Sequence, residues 1–249
     1  MRGPPVHGLS GPGDEHNERG ARIAEFVDGQ GDAFALDGLH LPDPPPPRAV
    51  RQRPGHVRRS PPSDPNEAEK IRNRVEDDDV VIGVRMGTLF DAARWAVDLP
   101  QKELETLFEH PAYEARLSAF CVLDFRARRK LADRERAALA TIYLERHDAI
   151  TSWDMVDRAA PRVLGWPILI GAIDGGVLDD LAAAADPLRR RSAITAPLWF
   201  IKKGTPEDVV RGLAIADSLA GDEHPRVRSA VQIFRKHADQ RLRNDGEGG

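Results

Sequence analysis

Asp186-Pro187-Leu188-Arg189-Arg190-Arg191-Ser192-Ala193 and His224-Pro225-Arg226-Val227-Arg228-Ser229-Ala230 follow one pattern: a polar residue, a proline, then arginine, serine and alanine about a turn later. An earlier copy begins at His110-Pro111 and continues to Arg116-Leu117-Ser118-Ala119. With Arg116, Arg191 and Arg228 taken as equivalents, the separations are 191 − 116 = 75 and 228 − 191 = 37 residues. The first is about twice the second, so a middle copy is expected with its arginine near 153 or 154. That place holds Trp153-Asp154-Met155-Val156-Asp157 instead. A period of this length, built from two helices per unit, indicates an all-α fold: an α-solenoid of HEAT-like repeats. By this register Arg116, the Trp-Asp segment, Arg191 and Arg228 fall at related positions along one surface. An arginine there can also serve the repeat itself by bonding nearby backbone or acids. The repeat alone therefore gives a binding scaffold and no chemistry.

Local punctuation agrees with helices. Leu89, Ala92, Ala93 and Ala96 recur at helical spacing after Thr88, with Asp91 three residues on as in a capping box. Pro100 ends that segment and Gln101–Phe108 starts another. Thr205-Pro206-Glu207-Asp208 reads as an N-cap, a first-turn proline and an acid at the third position. Gly204 and Gly221 stand where helices stop. Alternating β-branched residues are nearly absent, so roughly eight to eleven helices and no sheet are expected.

Of the 249 residues, 41% are hydrophobic and 31% charged, which permits a packed core. The single cysteine, Cys121, excludes an internal disulfide and a multi-cysteine metal site. No run approaches the ~20 apolar residues of a membrane span, and Asp14, Glu15 and Glu18 interrupt any signal-like start. A cytoplasmic protein, associated with the nucleoid and monomeric, is the expectation. Residues 1–63 hold 11 of the 20 prolines and no Trp or Tyr. They read as a disordered Pro/Gly/Arg-rich tail, with residues 64–249 as the repeat domain. The formal net charge of −4 argues against a uniformly basic surface. Residues 187–240 nonetheless carry ten Lys/Arg against six Asp/Glu, and Arg126, Arg128, Arg129 and Lys130 form another basic run. Such local excess suits a phosphate-lined partner, although each run read singly is an ordinary solvated one.

Trp153 and Asp157 are four apart and share a helix face. A flat ring beside a carboxylate suits holding a sugar and stabilising developing positive charge. Read without context, Trp153 is a core residue and Asp157 a surface acid.

Three segments resemble the bacterial DNA-alkylation-repair glycosylases of the AlkD type. They are Leu89–Arg94 with Leu104–Phe108 and His110–Arg116; Ser152-Trp153-Asp154-Met155-Val156-Asp157-Arg158-Ala159-Ala160-Pro161; and Arg190-Arg191-Ser192-Ala193-Ile194. The resemblance covers roughly residues 80–240. It implies a curved stack of HEAT-like helix pairs that removes cationic N3- or N7-alkylated purines from duplex DNA, without drawing the base into a deep pocket. It implies no cofactor and no metal. Carried over by position, Asp157 is the catalytic carboxylate and Trp153 the aromatic that packs on the deoxyribose. Arg191 is the arginine that holds the DNA backbone. Apart from the resemblance, Arg190, in a run of three arginines, and Arg228, at the related position of the repeat, are read as further DNA contacts. Active members carry another tryptophan in a later repeat. The matching stretch here, Val227–Lys236, has none, and Gln232 or Ile233 falls near its place. Two other readings therefore stand beside the glycosylase: a non-catalytic DNA-binding relative, and a HEAT scaffold for protein partners.

Overall fold

A computed structural model describes residues 31–32, 63–73, 75 and 79–247. The expected disordered tail lies outside them except at 31–32 and 63. Twelve α-helices occur among the described residues, and they form an all-α solenoid. The first two are α1 (Pro65–Arg72) and α2 (Met86–Trp95). Four helix pairs follow. α3 (Gln101–Phe108) precedes α4 (Tyr113–Ala127), and α5 (Asp133–Glu145) precedes α6 (Trp153–Ala160). α6 runs on through a π-helical turn at Pro161–Gly165 into α7 (Trp166–Leu169). α8 (Val177–Ala182) precedes α9 (Pro187–Thr195), which α10 (Leu198–Lys203) extends. α11 (Pro206–Ser218) precedes α12 (Pro225–Glu247). The second helices form a row in which α4 packs on α6, α6 on α9 and α9 on α12. Among the described residues the expectation of no sheet is met apart from a two-residue parallel pair, β1 (Gly31–Asp32) with β2 (Val84–Arg85), and an isolated bridge between Val80 and Ala112.

Sequence and structure agree at most helix ends. Thr205 Oγ1 accepts a bond from the Asp208 amide (3.3 Å) and the Asp208 carboxylate accepts one from the Thr205 amide (3.0 Å), closing the capping box of α11. Gly204 ends α10. The start of α2 differs: the helix begins at Met86, so Thr88 lies inside it and caps nothing. The chain reaches α2 through a clamp that the sequence does not advertise. Buried Glu114, in the first turn of α4, accepts amide bonds from Ile82, Gly83 and Val84 (2.8–3.2 Å). Gly83 has φ +90°, which an L side chain rarely adopts.

The repeat arginines are part of this architecture. Arg116 donates to the carbonyls of His110 and Pro111 (both 2.8 Å). Arg190 donates to those of Ala184 (3.0 Å) and Ala185 (2.6 Å). Arg228 donates to those of Asp222 (2.6 Å) and Glu223 (2.8 Å). Each guanidinium reaches back six and five residues over the start of its own helix. Each arginine is the fourth residue of that helix, counted from Tyr113, Pro187 and Pro225. The equivalents are therefore Arg116, Arg190 and Arg228, spaced 190 − 116 = 74 and 228 − 190 = 38. Arg191, chosen by the sequence register, is one residue out. Position five of the successive second helices is Leu117, Asp157, Arg191 and Ser229.

Two contacts hold the segments on either side of α6 against α9 and its C-terminal end. Gly165, in the π turn, lies so close to the Ala196 carbonyl that a Cβ would sit 2.0 Å from its oxygen. At the other end, fully buried His147 shares a hydrogen bond through Nε2 with Ser192 Oγ of α9 (2.8 Å), which also meets Tyr143 Oη of α5 (2.8 Å). Burial pushes His147 down to about 4 from an ordinary 6.5.

Gly165→Ala should cost about 1–3 kcal/mol or more by forcing the helices apart; urea denaturation of the variant measures it, and an unchanged midpoint refutes the close approach. His147 folds neutral, so between about 6.5 and about 4 the unfolded chain binds the extra proton. Stability should fall as pH drops through that window, by on the order of 3 kcal/mol. Melting curves at several pH values should show a smaller acid loss for His147→Gln than for wild type.

Candidate functional site

α6 starts after Ser152, whose backbone is extended (φ −146°, ψ 154°). Its buried face is Met155, Val156, Ala159 and Ala160. The remaining turns carry two polar faces about 100° apart. Trp153 and Asp157 lie on one; Asp154, Arg158 and Arg162 lie on the other.

The first face meets α9. Arg191 forks Asp157, with Nε 2.8 Å from one carboxylate oxygen and Nη2 2.7 Å from the other. Its Nη1 donates to the Arg226 carbonyl at the start of α12. Three of its five N–H groups are thus engaged, and Arg191 is 5% exposed. Its guanidinium carbon also lies 5.6 Å from the Trp153 ring centroid. Arg226, which is exposed, approaches the same ring to 5.1 Å. The indole Nε1 of Trp153 is buried without a hydrogen-bond partner. Burial pushes the Asp157 carboxyl upward, and the pair with Arg191 opposes that shift without cancelling it. The result is a half-buried carboxylate, held by two charge-assisted bonds, beside an aromatic ring.

The second face meets α4. Asp154 accepts hydroxyl bonds from Tyr113 and Ser152. Burial, then Asp154, raises the Tyr113 phenol well above its ordinary value. Between α4 and α6, fully buried Asp124 accepts from Arg128 (2.7 Å) and Arg162 (3.1 Å), and Arg158 lies 3.2 Å away. Arg158 also stacks on Phe90 at 4.3 Å.

Of the residues singled out from the sequence, Trp153, Asp157 and Arg191 come together. Arg190 and Arg228 do not join them. Both clamp their own helix starts, and Arg190 adds an ion pair with Asp222 at 2.6 Å. Arg191 was expected at a DNA backbone; here its bonds go to Asp157 and a carbonyl. The arginines of the run at 126–130 are similarly committed: Arg126 donates to the Val97 (2.9 Å) and Leu99 carbonyls, Arg128 to Asp124 and Arg129 to Asp98 (2.6 Å). Sequence reasoning missed Arg226, because a cation over a ring 73 residues away leaves no local signal. It also missed the Asp124 cluster, although Arg158 and Arg162 share a helical face with Asp154. Surface depressions of about 320 Å³ (Val97, Arg126, Leu139) and about 400 Å³ (Phe108, Arg116, Thr151) lie elsewhere, and neither includes Trp153, Asp157 or Arg191. No helix among the described residues is long and apolar enough to cross a membrane.

A family model described as DNA alkylation repair enzyme matches residues 61–236. No curated protein and no solved structure matches the chain.

Arg191→Gln removes the groups that hold down the Asp157 titration, so its carboxyl should move further upward. Carbon-13 NMR of the Asp157 side chain should record that direction; a downward move or none would refute the pairing.

Proposed function

The chain belongs to the DNA alkylation repair enzyme family, and from that membership we propose that it hydrolyses the N-glycosidic bond of cationic N3- or N7-alkylated purines in duplex DNA. The match extends over most of the region read as the repeat domain. The observation that carries the reading is the constellation of Trp153 and Asp157 on one face of α6, with Arg191 of α9 forking the carboxylate.

A cationic alkylpurine is already a good leaving group, so strong general-acid help is unnecessary. As the glycosidic bond breaks, its electron pair leaves with the base and neutralises it. Positive charge then develops on the sugar as an oxocarbenium-like centre. Asp157 supplies fixed negative charge beside that centre, and Arg191 sets its direction before the reaction begins. Trp153 offers a flat apolar surface to the deoxyribose. Water attacks the sugar carbon, and its proton leaves to Asp157 or to solvent. The chemistry asks for no cofactor. The protein would act as a HEAT-like monomer in the cytoplasm, at the nucleoid.

One observation favours a second reading, a DNA-binding relative without efficient excision. The stretch of α12 from Val227 to Lys236 has no tryptophan, and both Gln232 and Ile233 are exposed there.

Base release from duplex DNA containing N7-methylguanine, corrected for spontaneous depurination, tests the proposal. Wild type should release the base, and Asp157→Asn should be slower by about 10²–10³-fold, the scale of removing one preorganised electrostatic group. Equal rates would refute the assignment of Asp157. Tight binding without release by wild type would establish the second reading instead.

A further inference from the structure

Arg226 is the second residue of α12. Its main chain is tied to the site, because its carbonyl accepts from Arg191. Its side chain is exposed and makes no hydrogen bond or ion pair with any described residue. What it does instead is lie against Trp153, 5.1 Å from the ring centroid.

We propose that Arg226 is the phosphodiester-contacting cation of this site, and that in the free protein it covers the Trp153 surface until DNA draws it away. The inference rests on the reading that Trp153 receives the deoxyribose. Three observations support it. Arg191 has three N–H groups committed to Asp157 and to a carbonyl and is almost wholly buried, so it serves as a positioning residue for Asp157. Arg190 and Arg228 are likewise committed to backbone carbonyls. Arg226 is the guanidinium at Trp153 that makes no hydrogen bond or ion pair among the described residues; ring contact, which is weak for an exposed cation, and attraction to the Asp157 charge hold it there.

Electrostatics gives the cover a consequence. A sugar seated on Trp153 gains positive charge as the base leaves. A second positive charge a few ångströms away would oppose that change. Departure of Arg226 to a phosphate removes the opposition, because the phosphate neutralises the guanidinium. The same movement exposes the ring on which the sugar packs. Site completion is thereby coupled to backbone binding.

The test measures binding and excision separately. Full-length wild type, Arg226→Gln and Arg226→Lys are titrated against labelled duplex DNA over a range of salt concentrations. Losing one phosphate contact should weaken binding by Arg226→Gln and reduce the slope of log K against log salt by about 0.9. Arg226→Lys should keep the slope, because the charge is retained. On saturating N7-methylguanine duplex, Arg226→Gln should release base at least as fast as wild type. Unchanged affinity and slope in Arg226→Gln would overturn the proposal, as would slower release at saturation. A reduced slope with no release by wild type would leave the phosphate contact standing and sink the glycosylase reading alone. Failure of wild type to bind duplex DNA would overturn both. The substitution keeps the carbonyl that receives Arg191 and alters only an exposed side chain, so folding should be unaffected.

Discussion

Two parallel hydrogen bonds from Arg191 to Asp157 join the third second-helix of the solenoid to the second. They place a carboxylate beside Trp153 in one orientation. The two partners occupy the same position, the fifth residue, of adjacent equivalent helices. Stacking the repeat therefore brings them face to face. A buried ion pair is weak evidence of added stability, since desolvation offsets much of the attraction. What it provides is direction. Contacts of the segments flanking α6 maintain that direction: Gly165 after it against Ala196, and His147 before it against Ser192. Ser192 follows Arg191 in the chain, so the buried histidine and the paired guanidinium are fixed by neighbouring residues of one helix turn.

The distribution of positive charge carries a related lesson. The basic runs suggest a broad polyanion-binding surface, but the structure spends most of those guanidinia internally. Arg116, Arg190 and Arg228 donate to carbonyls of the turns that lead into the helices they sit in. Arg128, Arg158 and Arg162 surround one buried aspartate. Affinity for a nucleic acid then depends on a few uncommitted cations and on how they are spaced, and much less on the total count.

The fold was legible because its signals are local. Prolines, N-caps and apolar spacing mark helices, and the recurrence of Pro and Arg marks the repeat. The register slipped at Arg191 because three arginines stand in succession, and nothing in their identity says which one turns back over the helix start. Counting from Pro187 and Pro225, the first residues of α9 and α12, selects Arg190. Thr88 misled for a similar reason: α2 begins without a side-chain cap, so the first good capping residue lies inside the helix. Within the site, Trp153 and Asp157 could be paired from spacing alone. Their partnership with Arg191, and the approach of Arg226, are contacts across 34 and 73 residues that only packing creates.

The π turn at Pro161–Gly165 divides one continuous helical rod into two angular frames. Such a turn holds about one residue more than an α turn, and each residue advances a helix by about 100°. Trp153 and Asp157 are aimed by the frame before it. Trp166 is aimed by the frame after it, onto Trp199 (ring centroids 4.9 Å apart) and under Arg136 at 3.4 Å. A substitution in this rod alters one side chain. Gaining or losing a single residue within the turn would swing every side chain beyond it to a new bearing, with the sequence on either side intact. Evolutionary drift in this segment is thus constrained by residue count as well as by residue chemistry.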